Sequence, residues 1–181
     1  MSRLIIPGWQ GSGIGHWQRF WAELDADSRV VEQDEWDFPV LEDWIVRLDG
    51  AVRQAPGSML VVHSLGCLLV AHYAERFPDA PVGRALLVAP PDIDALPSDH
   101  TLAGFQPAPL AALPFPSLLA LSRNDPYITF ERGRLLAERW GSEFADLGRA
   151  GHVNTESGHG RWDEGFRLAD RLSGMKTRAA A

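Results

Sequence analysis

The sequence predicts an open, doubly wound α/β sheet, six mostly parallel strands with helices on both faces. Three observations carry this. Short apolar runs recur along the chain, each followed by a turn and then by a segment with helical spacing, the alternation that builds parallel sheets. Several of these runs are apolar throughout, as strands covered on both faces are. No internal repeat or linker-like stretch divides the chain, and 181 residues suit one compact domain.

The elements follow in order. The first strand is expected over Arg3–Pro7, followed by a glycine-rich loop from Pro7 to Trp17. A second strand is expected over Arg29–Gln33. The helix Val40–Gln54 places Leu41, Trp44, Ile45, Leu48 and Val52 on one face and turns Asp43, Arg47, Asp49 and Arg53 outward. The third strand, Met59–His63, runs directly into Leu65–Phe77, a helix apolar on nearly every face and therefore central. Strands Arg84–Ala89, Ser117–Ser122 and Glu143–Leu147 and helices Phe130–Trp140 and Trp162–Leu172 complete the set. Between the fourth and fifth strands lies Pro90–Pro116, with seven prolines. It is too long for a simple connection and is expected to form a functional rim. Residues 1–174 make one domain, and 175–181 read as a frayed tail.

In such a sheet reactive groups collect beyond the carboxyl ends of the strands, and three residues fit that rule. Ser64 sits between the third strand and the central helix, in the outline of a nucleophile elbow, where the Leu65 N–H at the helix start can donate to a developing oxyanion. Gly66 supplies the small residue two places on, but Val62 stands where the G-x-S-x-G pattern has its first glycine. The plain alternative for Ser64 is a helix cap. Asp125 follows the fifth strand and can orient a histidine. Asn-Asp-Pro is also ordinary turn chemistry, and Asp92 and Asp94 are rivals. His152, glycine-flanked after the last strand, is the candidate general base, with His159 as its rival. The order Ser64, Asp125, His152 is that of α/β-hydrolases.

The loop PGWQGSGIGHW admits three readings. A phosphate-binding P-loop needs a lysine, and the chain's one lysine is Lys176. A dinucleotide turn, with Glu32 or Asp34 as the ribose acid, needs G-x-G-x-x-G, whereas Gly11, Gly13 and Gly15 are spaced G-x-G-x-G. An oxyanion loop needs close backbone approach, which glycines allow. On that reading the Trp9 N–H is the second donor, and Gly8, Trp9, His16 and Trp36 are expected to contact substrate.

The segments PGWQGSGIGHW, WDFP, HSLGC, SRNDPY and AGHVNTESGHG together resemble the small serine hydrolases related to retinoblastoma-binding protein 9, from Leu4 to about Leu172. The resemblance implies a minimal α/β-hydrolase fold with no cap domain, and it implies Ser64, Asp125 and His152 as the triad. The function to expect is a serine hydrolase, a carboxylesterase acting on a small ester or an amide, with no metal or organic cofactor. The alternative is a binding or scaffolding protein on the same fold, for which seven tryptophans supply surface. A net charge of −7 and a pI near 5.3 speak against nucleic acid and anionic membranes as partners. One cysteine, Cys67, permits no internal disulfide, which with the absence of a signal-like or spanning segment fits the cytoplasm.

Overall fold

The computed structural model describes residues 2–24 and 26–175; of the predicted tail 175–181, all but Met175 lies outside the described residues. The strands are β1 (Arg3–Ile6), β2 (Ser28–Val30), β3 (Met59–His63), β4 (Arg84–Val88), β5 (Ser117–Leu121) and β6 (Glu143–Asp146). The helices are α1 (Trp17–Leu24), α2 (Leu41–Gln54), α3 (Leu65–Arg76), α4 (Phe130–Trp140) and α5 (Asp163–Ser173). All neighbouring strands pair in parallel, in the order β2-β1-β3-β4-β5-β6.

This order reverses direction at β1, because β2 lies on one side of it and β3 on the other. Right-handed crossovers then send the helices to opposite faces. Residues of α2, α3 and α4 join one core cluster, and residues of α1 and α5 join the other. The central strands feed both clusters by simple alternation. Leu60 and Val62 of β3 face the first, while Met59 and Val61 face the second. In β4 the division is Ala85 and Leu87 against Leu86 and Val88, and in β5 Leu119 and Leu121 against Leu118 and Ala120. That is the physical reason these strands read as unbroken apolar runs. Each fully buried Leu or Val contributes about 2 kcal/mol.

Two features depart from the sequence expectation. Helix α1 was not anticipated; it packs Trp17, Gln18 and Trp21 inward immediately after the glycine-rich loop. Strand β2 is a three-residue edge strand that starts at Ser28 rather than a longer one ending at Gln33. The proline-rich segment after β4 forms two short 3₁₀ turns, Ile93–Ala95 and Ala103–Phe105. It buries Leu102, Phe105, Leu113 and Phe115 in the first core cluster, packed with α2, α3 and α4, and among the described residues there is no cap. No helix among the described residues is long and apolar enough to cross a membrane.

Candidate active site

β3 ends at His63 and α3 begins at Leu65, which leaves Ser64 to make the whole turn. It does so at φ 54° and ψ −126°, a conformation that costs a non-glycine residue about 1–3 kcal/mol and persists only where the surroundings impose it. Those surroundings are close. A Cβ on Gly66 would lie 2.8 Å from the Pro7 carbonyl oxygen and 2.9 Å from that of Ile6. A Cβ on Gly8 would lie 2.7 Å from the Ser64 Cβ. At the position where the elbow pattern has its first glycine, Val62 is fully buried in the first core cluster. Its side chain points into the core beneath the elbow and away from the turn.

His152 reaches Ser64 from the loop after β6. The Ser64 Oγ–H donates to His152 Nε2 at 2.9 Å, and His152 Nδ1–H donates to the Asp125 carboxylate at 2.9 and 3.0 Å. The side chains of His152 and Asp125 are 9% and 1% exposed, so the pair is shielded from competing water. Asp125 also accepts from the Tyr127 N–H at 2.9 Å, and the Tyr127 ring packs edge-on against His152. The rival residues are engaged with other partners, although Asp92 also lines the cavity above Ser64. Asp92 and Asp94 are both ion-paired with Arg132. His159 bonds to the Ser157 hydroxyl and is held below the usual imidazole range by burial.

Two further histidines crowd the site. Burial, aided by His152 and His159, lowers His16 to about 4. Burial also holds His63 well below the usual imidazole range, again aided by His152 and by His16. Both are therefore neutral near pH 7. His16 Nδ1 accepts from the Gln18 N–H at 3.2 Å, so its ring proton is on Nε2.

Above Ser64 opens a cavity of about 500 Å³. Gly8, Trp9, His16 and Leu65, all singled out in the sequence, line it together with His63, Ser64 and His152. The backbones after β1 and β3 meet here because those strands are adjacent at the reversal of the sheet, with Ile6 in register with Val62. Trp36 is not among the lining residues. It packs under Gly11, whose added Cβ would sit 3.4 Å from the indole, and edge-on against Trp44. It therefore supports the loop from below. The proline-rich segment, expected as a functional rim, supplies Pro91, Leu96, His100 and Leu102 to the wall, and sequence reasoning singled out none of these residues, nor Tyr127. Tyr127 was the findable one, two residues past Asp125. Among the described residues no group of three or more His, Cys, Asp or Glu side chains is arranged to hold a metal.

The arrangement supplies a hydroxyl, a base to take its proton, and a buried carboxylate to steady the base. Curated proteins yield no match to the sequence. Among solved structures, a YdeN-like hydrolase of Pectobacterium atrosepticum superposes with a TM-score of 0.83 over 95% of this chain and 90% of its own, at 29% identity. The ydeN gene product of B. subtilis does so at 0.79, over 97% and 100%, with 20% identity. Thermogutta terrifontis esterase 2 gives 0.69 over 94% and 82%, with 17% identity. The last two likenesses speak for the fold. The serine hydrolase family model matches residues 3–171, from the first strand through nearly all of the last helix, and the chain belongs to that family.

Proposed function

We propose that the protein is a carboxylesterase that cleaves small esters, and more slowly amides, through an acyl-enzyme on Ser64. The observation that carries this is the unbroken line of hydrogen bonds from Ser64 Oγ through His152 to Asp125. Ser64 attacks the substrate carbonyl while its proton passes to His152 Nε2. Asp125 holds the imidazole in the useful tautomer and stabilises the imidazolium. The carbonyl oxygen, now an oxyanion, is held by the backbone N–H groups of Leu65 and Trp9, and loss of one such donor costs about 3 kcal/mol of barrier. Collapse expels the alcohol, which takes the proton from His152. Water activated by the same histidine then attacks the acyl-serine and releases the acid and Ser64.

The cavity size suits a small acyl chain. One neighbour, Thermogutta terrifontis esterase 2, binds butyrate and is phosphonylated by cyclosarin, which favours a reading with an organophosphate-sensitive serine. Purified protein treated with a fluorophosphonate probe is expected to be labelled at Ser64, and Ser64→Ala to be unlabelled. Asp125→Asn and His152→Ala are expected to lower turnover of a short-chain p-nitrophenyl ester by at least about 10⁴-fold. Equal labelling of the Ser64→Ala protein, or retained turnover in His152→Ala, overturns the assignment.

A further inference from the structure

The loop that carries His152 is tied to the nucleophile's strand by a bond that no step of ester hydrolysis requires. His63 Nε2 lies 2.8 Å from the His152 carbonyl oxygen. A carbonyl only accepts, so His63 carries its ring proton on Nε2 and donates. The next carbonyl along, that of Val153, accepts from the Trp17 indole N–H, also at 2.8 Å. His63, Trp17 and Val153 are all buried. The far side of the loop is bound as well, with the Ala150 N–H on Ser122 Oγ at 2.9 Å and the Gly151 N–H on Asn124 Oδ1 at 3.0 Å.

A pattern emerges from these partners. Asn124 immediately precedes the acid and His63 immediately precedes the nucleophile, and each binds the backbone of the loop that bears the base. The alternation of β3 makes the point sharper. Met59 and Val61 face the second core cluster, and His63 continues that face, where an aliphatic side chain would pack without any polar cost. A histidine there fills its site among Trp17, His16 and His152, with ring centroids 5.9, 4.8 and 4.9 Å away. Its one side-chain hydrogen bond among the described residues goes to the base loop. Its burial keeps it neutral, so it brings a donor to the loop without placing a second cation beside the imidazolium.

We propose that His63 and Trp17 are positioning residues that fix the distance from His152 Nε2 to Ser64 Oγ by holding the two successive carbonyls of the base loop. This rests on the triad reading above. The bonds touch neither substrate nor the transferred proton; they act through His152.

The test compares His63→Phe, which keeps a ring of similar size and removes the donor, with His63→Gln, whose amide N–H reaches about as far as Nε2. Each is assayed for fluorophosphonate labelling rate, for kcat and KM on a short-chain p-nitrophenyl ester, and for thermal midpoint. His63→Phe is expected to lose about 100-fold in labelling rate and kcat with KM unchanged, the cost of a misplaced catalytic group, and His63→Gln to recover most of it. Wild-type rates in a folded His63→Phe protein overturn the inference, as does a His63→Gln protein as slow as His63→Phe. If His63→Phe does not fold, Trp17→Phe, which deletes the indole donor together with its five-membered ring, decides: slower labelling at unchanged KM supports the clamp, and the wild-type rate overturns it. Absence of Ser64 labelling in wild type is a separate result, which removes the triad and this role with it.

Discussion

At the scale of single residues, the elbow distinguishes two positions that its sequence pattern treats alike. Gly66 is demanded by backbone, since a methyl there would press on the carbonyls of Pro7 and Ile6 at the end of β1. Neither carbonyl can swing aside without moving the loop that brings Trp9 to the cavity. Gly66→Ala is therefore expected to destabilise the protein by about 2 kcal/mol, as overpacking does, and to lower kcat as well. Urea denaturation alongside ester kinetics checks both, and an unchanged kcat contradicts the coupling. Val62, by contrast, occupies core, so the missing glycine leaves the turn intact. Ser64, Asp125 and His152 could be picked out as candidates from the sequence because Ser64 directly follows β3 and the other two lie in the loops after β5 and β6. Position in the chain does not tell which way a ring packs, so Trp36 was assigned to the cavity while it lies beneath Gly11. His63 was read only as the end of a strand, since its partner lies 89 residues away.

At the scale of elements, the central strands and the amphipathic helices were readable from periodicity, and α1 was not. Its eight residues carry no acidic group in the first turn and no basic one in the last, and a helix so short is marginal by itself. Tertiary contacts make it. Gln18 is fully buried, and its amide donates to the carbonyls of Ile6 at 3.1 Å and Val61 at 3.0 Å while accepting from the Ser12 hydroxyl. One side chain thus joins β1, β3 and the glycine-rich loop. Gln18→Leu removes three buried hydrogen bonds and is expected to cost about 3 kcal/mol. Urea denaturation measures it, and a loss below about 1 kcal/mol would show that water replaces the amide. The proline-rich segment was legible as a rim, but which of its residues would line the cavity was not. Its burial depends on α3 and α4, which are remote in sequence.

At the scale of the molecule, the two core faces and the histidines between them set an acid limit. His16 and His63 are neutral when folded, with His16 near 4, but in the unfolded chain they take up protons below about pH 6.5. Their contribution is fully present above that pH and is lost as the pH falls toward 4. Unfolding free energy is expected to drop by about 2 kcal/mol between pH 7.5 and pH 5 on account of His16 alone. Chemical denaturation at the two pH values checks this, and the drop should be smaller in His16→Gln. A flat profile contradicts it.

The bond between Ser64 and His152 spans 88 residues, and it bears on how the enzyme is born. A ribosome delivers the elbow early, with β1 and β3 able to pair around it. The acid follows some sixty residues later, and the base only after β6 has been made. On the proposed mechanism the nascent chain until then carries a serine with no base beside it, so the strained turn can assemble in the company of other proteins without attacking their bonds. On that mechanism, hydrolytic power comes with the docking of the loop that carries His152, whose carbonyl and that of Val153 bond to His63 and Trp17.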